Sequence, residues 1–215
     1  MCYNAYAMKK IDKEKALAEL ASLYPDAKPA LNYTTPYELL VAVVLSAQCT
    51  DERVNIVTAK LFEKYNTPEA MVTLSQKELE KYIFSCGFYR MKAEHILSAS
   101  HDILDKFGGE VPGTIEELMS LAGVGKKTAN VIYAVAFGGA AIAVDTHVFR
   151  VSNRLGLAKG KTPLEVEEGL CKVIPKKDWS KAHHWMIYHG RRVCHSQKPA
   201  CETCTLSALC DFVKK

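Results

Sequence analysis

Helix-start signals recur along this 215-residue chain and are its most regular local pattern. Each is a serine or threonine followed by residues that are apolar at helical spacing, in most cases with proline next or glutamate three residues on. They stand at Thr35, Thr50, Thr67, Ser75, Thr114 and Thr162. Runs such as VAVV and AIAV are short and continue helical patterns, so no strand is predicted. With an amphipathic pattern over 12–24 and a long one near 180–193, we expect an all-α protein of about ten helices.

Composition indicates a globular protein without a membrane span. Hydrophobic residues make up 48% of the chain, and no apolar run approaches the roughly 20 residues that a membrane-spanning helix needs. The N-terminus lacks the apolar stretch of a signal peptide, so we expect a soluble, intracellular protein. The net charge is +4, and from residue 181 onward six basic residues face two acidic ones. This basic segment suits either nucleic-acid binding or a solubilising tail.

A helix, a tight turn and a second helix are predicted between residues 114 and 137. Apolar residues at three-residue spacing lead to Gly123 and Gly125, which flank Val124, and a second apolar run follows. Glycines allow a tight turn and a close approach of another chain, while the N–H groups that open the second helix can bind a phosphate. A plain helical hairpin with a glycine cap would carry the same glycines, so the pattern alone leaves both interpretations open.

Two ionisable residues near this turn could carry chemistry. Lys127 is predicted in the first turn of the second helix, where the helix dipole and the neighbouring Lys126 favour a neutral, nucleophilic amine. Asp145 separates the apolar segment AAIAV from THVFRV and is predicted to cap a further helix. A solvated lysine and a capping aspartate are the commoner roles. An amine and a carboxylate at two helix starts are also what nucleophilic catalysis requires.

These residues also carry a family resemblance. LAGVGKKTANV, followed by AVDTHVFRVSNRLG, resembles the endonuclease III branch of the helix-hairpin-helix DNA glycosylase superfamily, and the resemblance runs from Pro36 to Cys210. It implies that Lys127 is the catalytic nucleophile and Asp145 the catalytic carboxylate. The turn residues that it assigns to DNA binding are Gly123, Val124, Gly125, Lys126 and Thr128.

The resemblance implies a discontinuous architecture of two helical lobes. Residues 29–139 would form a six-helix bundle that carries the helix-hairpin-helix motif at about 114–137, and residues 1–28 with 140–215 would form an iron–sulfur lobe. The sequence pattern itself shows a continuous series of helices before the hairpin. It does not show that the N-terminal helix packs with the C-terminal part.

Four of the eight cysteines form a cluster near the C-terminus. Cys194, Cys201, Cys204 and Cys210 read C-x6-C-x2-C-x5-C within 17 residues. Four thiolates so close together predict a soft metal centre, either structural zinc or a [4Fe–4S] cluster, and the spacing alone does not decide between them. The resemblance selects a [4Fe–4S] cluster with a structural role. The scattered cysteines are expected to be small apolar residues rather than disulfide partners: Cys2, Cys49, Cys86 and Cys171.

Three further residues are expected to contact DNA. The resemblance places Gln48 in LSAQCTD and Phe88 in GFYRMKAE at the positions that fill the space vacated by an extruded base. The family commonly has leucine at the second position, so Phe88 departs from its pattern. Gln48 could instead cap its own helix, and Phe88 could belong to the core. Arg191, in the basic C-terminal segment, is expected near phosphate.

The resemblance implies a bifunctional DNA glycosylase and lyase of base excision repair. The neutral amine of Lys127 would displace an oxidised pyrimidine at the sugar C1′ and form a Schiff base, and β-elimination would then cleave the strand 3′ to the abasic site. Asp145 would stabilise positive charge on the sugar. Alternatives are a monofunctional mismatch glycosylase, which would lack the lysine, and a non-enzymatic helix-hairpin-helix DNA-binding protein, which would not need the carboxylate.

The expected partner is double-stranded DNA that contains damaged bases or abasic sites. We expect a monomer in the cytoplasm, associated with the nucleoid if the cell is prokaryotic.

Overall fold

A computed structural model describes residues 5–213, with side chains from residue 12 onward. Within this range the chain forms eleven α-helices, three short 3-10 helices and no strand, so the predicted all-α class is confirmed. The α-helices are α1 (Ala5–Leu23), α2 (Pro36–Ser46), α3 (Asp51–Leu61), α4 (Pro68–Met71), α5 (Gln76–Ile83), α6 (Tyr89–Phe107), α7 (Ile115–Met119), α8 (Lys126–Ala136), α9 (Thr146–Leu155), α10 (Pro163–Val173) and α11 (Trp179–Arg192). Cys2, Lys214 and Lys215 lie outside the described residues.

Side-chain caps begin most of these helices where the sequence predicted them. A hydroxyl accepts a hydrogen bond from the backbone N–H three residues on at Thr35, Thr50, Thr67, Ser75, Thr114 and Thr162. Ser75 and Glu78 complete a capping box. At Thr114 the carboxylate of Glu117 accepts from the threonine hydroxyl at 2.8 Å. The reciprocal bond of a capping box, from the backbone N–H of Thr114 to Glu117, does not form.

The chain divides into two compact units, and the first of these is the segment Pro29–Gly139, here called the hairpin unit. Its centre is α2, which is buried from Tyr37 to Leu45 because nearly every residue is apolar. Helices α6 and α8 pack against α2. The unit contains seven α-helices, one more than the predicted bundle of six, since α4 forms a separate single turn.

The second unit comprises the residues up to Lys28 and those from Ala140 onward, here called the cysteine unit. Helix α1 packs on α11, and α9 packs on α10 and α11. Leu20 of α1, Val148 of α9 and Met186 of α11 are fully buried in one core. Leu206, beyond the last helix, joins the same core. No helix within residues 5–213 is long and apolar enough to cross a membrane.

Candidate functional site

The glycine turn lies between α7 and α8, as predicted. Gly123 has a φ of 77°, in the left-handed region that favours glycine. A Cβ atom at this position would lie 2.9 Å from the Cβ of His95 in α6. The backbone conformation and the available space therefore both require glycine at residue 123.

Gly125 is unlike Gly123, because the packing within the described residues does not require it. Its φ of −85° is accessible to any residue, and a Cβ atom there would meet nothing within 4 Å. The residue is exposed and directly precedes α8, and as the N-cap residue it makes no side-chain cap hydrogen bond. Open space above a helix start is suited to an approaching phosphate.

The other predicted turn residues differ in exposure. Lys126 and Lys127 are exposed in the first turn of α8, and Thr128 is half-buried. Val124 is buried in the core of the hairpin unit, and its N–H donates to the carbonyl of Leu121 at 3.1 Å. Because the valine side chain is inside, a DNA contact at this position must come from the backbone.

Gln48 and Phe88 line one pocket of about 310 Å³ in the hairpin unit. The remaining lining residues are Val44, Ala47, Met91, Lys92, His95 and Gly123. Both Gln48 and Phe88 have positive φ angles, 51° and 58°, and among the non-glycine residues of 5–213 only Lys198 shares this conformation. Left-handed backbone at a non-glycine residue is strained and is found preferentially at functional sites.

Exposure and hydrogen bonding decide between the two roles considered for each of these residues. The side chain of Phe88 is 62% exposed, which excludes it from the core. The cap residue of α2 is Ala47, whose N–H donates to the carbonyl of Val44. No hydrogen bond joins the side chain of Gln48 to any described residue. Both side chains are therefore available to a ligand at the surface of the pocket.

Asp145 in the cysteine unit is the N-cap of α9, as predicted. Its Oδ1 atom accepts hydrogen bonds from the N–H groups of His147 at 2.9 Å and Val148 at 2.8 Å. Its Oδ2 atom accepts none from the part of the chain that the structure describes. Helix capping thus uses one carboxylate oxygen and leaves the second oxygen for another role.

Two histidines lie close enough to Asp145 to sense its charge. Burial lowers the pKa of His147, with Arg150 and Arg191 acting in the same direction, while the carboxylate of Asp145 opposes the shift. Burial and then His183 lower the pKa of His184 to about 3, again opposed by Asp145. Both imidazoles are therefore neutral near neutral pH. Arg191, predicted to contact DNA, is exposed at the end of α11.

The four C-terminal cysteines line a single cavity in the cysteine unit. The chain between them forms only two 3-10 helices, Cys201–Thr203 and Ser207–Leu209. Arg154 of α9 holds this loop, donating to the carbonyl of His195 at 2.7 Å and approaching the Sγ of Cys194 at 3.5 Å. Burial raises the pKa of Cys204; a backbone hydrogen bond from Leu206 opposes the shift, and the other three cysteines add to it.

Four thiols around one cavity are a donor set that fits an iron–sulfur cluster. In an iron–sulfur cluster each iron takes its own thiolate, which is compatible with four cysteines around one cavity. Arg154 directs an N–H group at the Sγ of Cys194, and the Nε2 of His189 lies 3.8 Å from the Sγ of Cys204.

Two contributors escaped the sequence analysis. Lys92 is 3% exposed, and its Nζ donates to the carbonyls of Leu45 at 2.8 Å and Ala47 at 2.6 Å. The available signal was a lysine within the apolar stripe of an amphipathic helix. Arg154 had a weaker signal, since it lies four residues after Arg150 on one face of α9, and both bond to the cysteine loop.

A glycine turn at an uncapped helix start, joined in one chain to a capping aspartate and a four-cysteine loop, is typical of helix-hairpin-helix repair proteins. Residues 41–176 match the model of the HhH-GPD superfamily base excision DNA repair protein family. Endonuclease III of Synechocystis sp. is 49% identical over 205 residues, covering 95% of this chain and 94% of that protein. Endonuclease III of Escherichia coli K12 is 45% identical over 208 residues, covering 97% and 99%. The chain belongs to the endonuclease III family of this superfamily.

Solved structures agree with this assignment. A trapped endonuclease III–DNA covalent intermediate, in an estranged-adenine complex, superposes with a TM-score of 0.92 at 51% identity, covering 95% of this chain and 97% of that one. A thermostable thymine-DNA glycosylase superposes with a TM-score of 0.85 at 23% identity, covering 94% and 97%. The second likeness extends to the fold alone.

Proposed function

We propose that this protein is a bifunctional DNA glycosylase and lyase of base excision repair. It removes oxidised pyrimidines from double-stranded DNA and cleaves the strand 3′ to the resulting abasic site. The observation that carries the proposal is the start of α8, where the exposed amine of Lys127 lies two residues after Gly125. Packing within the described residues gives no reason for glycine there, whereas a closely approaching DNA backbone does.

The hairpin binds phosphate, and Arg191 of the cysteine unit adds positive charge. A phosphate that reaches Gly125 accepts hydrogen bonds from the first turn of α8, and Lys126 contributes its charge beside it. Such contacts carry no sequence preference, so damaged and undamaged duplexes bind through the same surface.

Lys127 is the nucleophile of the reaction. Its neutral amine attacks the sugar C1′, the glycosidic bond breaks, and its electron pair leaves with the base, which takes up a proton. The amine nitrogen then loses a proton and forms the C=N bond of a Schiff base as the C1′–O4′ bond breaks and O4′ takes up a proton. Loss of a proton from C2′ then expels the 3′ phosphate. The Oδ2 atom of Asp145, which accepts no hydrogen bond from the described residues, stabilises the positive charge that develops on the sugar.

Gln48 and Phe88 fill the space left by the extruded base. Both are exposed, line the same pocket and have left-handed backbone. An aromatic ring and an amide can stack on and hydrogen-bond to neighbouring bases, which offsets the cost of unstacking.

Cys194, Cys201, Cys204 and Cys210 hold a [4Fe–4S] cluster. When bound, the cluster supplies iron–thiolate bonds that close the loop, and the reaction itself requires no electron transfer. Arg154 orients the loop through the carbonyls of His195 and Ser196. We place the protein in the cytoplasm, with the DNA on which it acts.

Borohydride trapping on a duplex with one oxidised pyrimidine tests the proposal. Wild-type protein should give a covalent complex and a nicked strand. Lys127→Gln should give neither while still binding the duplex, because only a primary amine forms the imine. The matched control Lys126→Gln should still be trapped. Nicking by Lys127→Gln at the wild-type rate would assign the amine to another residue.

Asp145→Asn separates catalysis from capping. Asparagine caps a helix about as well as aspartate but carries no charge. We expect base release to slow by about a hundredfold with little change in thermal stability. If Asp145→Asn unfolded the protein without a separate loss of rate, Asp145 would serve only as a helix cap.

A further inference from the structure

The turn that carries Gln48 has an unfavourable form. The N–H of Cys49 donates to the carbonyl of Ser46 at 3.1 Å and closes a four-residue turn with Ala47 and Gln48 at its centre. Ala47 has φ −58° and ψ 114°, and Gln48 has φ 51°. These values define a type II turn, in which the third position normally belongs to glycine or asparagine. A glutamine there is strained.

A type I turn would relieve that strain. Types I and II join the same end residues but differ by a rotation of the central peptide, and in type I the third residue has a negative φ. The central peptide here is the one between Ala47 and Gln48. A group that binds the carbonyl of Ala47 therefore selects between the two forms.

Lys92 is that group. Its Nζ donates to the carbonyl of Ala47 at 2.6 Å and to that of Leu45, at the end of α2, at 2.8 Å. The side chain is buried, and no carboxylate pairs with it in the range 5–213. A buried ammonium without a counter-ion is costly, and the negative end of the α2 dipole offsets only part of that cost.

The same residue lies in the first turn of α6, the helix that begins directly after Phe88. The N–H of Lys92 donates to the carbonyl of Phe88 at 3.1 Å in the first turn of α6. A Cβ atom at Gly87 would lie 3.1 Å from the carbonyl oxygen of Gln48, so the two loops adjoin. Lys92 thus joins the loop of Gln48 to the start of α6, where Phe88 is the N-cap residue.

We propose that Lys92 is a positioning residue that holds the Ala47–Gln48 peptide in the type II orientation and thereby presents Gln48 to the space vacated by an extruded base. The inference rests on the proposed role of Gln48. Lys92 itself is buried and is not placed in contact with the DNA. A lysine that only capped α2 would stabilise the helix and would have no particular effect on base extrusion.

Single-turnover kinetics on two substrates separate these roles. One duplex carries an oxidised pyrimidine, and the other carries a preformed abasic site from which no base need be extruded. Lys92→Met keeps most of the length of the side chain but removes its donors. We expect base release to slow by about tenfold or more while nicking of the abasic duplex stays within about threefold, because misplacement of Gln48 affects extrusion first. Lys92→Arg, which keeps charge and donors, should restore most of the rate.

A double variant that combines Lys92→Met with Gln48→Ala tests whether the two residues act together. Gln48→Ala alone should slow base release, and Lys92→Met should then add little, because the side chain that it positions is already absent. Equal slowing by Lys92→Met in both backgrounds would overturn the proposal, as would the absence of an effect from Gln48→Ala. If Lys92→Met lost both reactions in parallel and the amount of folded protein fell with them, Lys92 would support the fold alone. A wild-type protein inactive on both substrates would instead overturn the proposed function.

Discussion

The hairpin turn at 120–125 and the cysteine loop at 194–210 are held by different means. The turn lies between two helices, with Leu121 and Val124 buried beneath it and Gly123 fitted against His95. The cysteine loop contains no α-helix. Its contacts with α9 come mainly from the donors of Arg150 and Arg154, and Leu206 alone is fully buried in it.

The two regions therefore depend on different stabilising contributions. Helix packing and one left-handed glycine account for the shape of the hairpin turn, so it should exist before any ligand arrives. A loop with so little regular structure leaves much of its chain entropy without compensation from burial. The metal centre proposed at the four cysteines would supply the missing stabilisation.

Loss of one thiolate should have the largest effect on stability of all the changes considered. That effect should be limited to the cysteine unit. Protein purified anaerobically should hold about four irons per chain, and Cys204→Ser should lose iron and stability, since structural metal sites contribute on the order of 10 kcal/mol. Cys171→Ser, outside the loop, is the matched control and should keep its iron. Iron analysis and thermal unfolding give the measurement. Stoichiometric zinc without iron would contradict the cluster.

Substitution of the two hairpin glycines should affect different properties, stability at Gly123 and DNA binding at Gly125. Gly123→Ala forces a Cβ into left-handed backbone and against His95, and should lower the free energy of unfolding by about 2–4 kcal/mol. Gly125→Ala should change it by less than about 0.5 kcal/mol. Gly125→Val, in contrast, should weaken binding to damaged and undamaged duplex alike, because it blocks phosphate approach. Equal stability losses at the two positions would remove the distinction between them.

Mild acid should weaken the cysteine unit through His184. Its folded pKa of about 3 lies below the unfolded value of about 6.5, so the unfolded chain binds more protons between these values. The stability that depends on the neutral imidazole is complete above about pH 6.5 and is lost as the pH falls. At pH 5 the loss is about 2 kcal/mol. Between pH 7 and pH 5, the free energy of unfolding should change less for His184→Gln than for the wild-type protein, as measured by chemical unfolding. Identical changes in the two proteins would contradict the assignment to His184.

The helix starts, the glycine turn and the capping position of Asp145 were accessible from sequence because capping and periodicity act locally. Thr35 and Asp145 cap where their sequence context predicts. The burial of Val124 and the exposure of Phe88 were not accessible, since both depend on packing between distant segments. Lys92 shows the limit most clearly. A lysine in an apolar stripe is visible in sequence, but its acceptors lie more than 40 residues earlier in the chain.

Phe88→Ala should have the smallest effect on stability and a clear effect on activity. The side chain is 62% exposed, so its removal should lower the free energy of unfolding by less than about 1 kcal/mol. Leu79→Ala, at a fully buried position of the same unit, is the comparison and should cost about 2–5 kcal/mol.

If Phe88 enters the base stack, Phe88→Ala should nevertheless slow base release from a duplex with an oxidised pyrimidine. Phe88→Leu, which restores the residue common in the family, should retain most of the wild-type rate, because an apolar side chain of similar reach can still fill the gap. Chemical unfolding and single-turnover kinetics on the same preparations measure both quantities. A stability loss as large as that of Leu79→Ala would mean that Phe88 supports the hairpin unit from within. An unchanged rate would mean that its exposed ring, despite its left-handed backbone, plays no part in base extrusion.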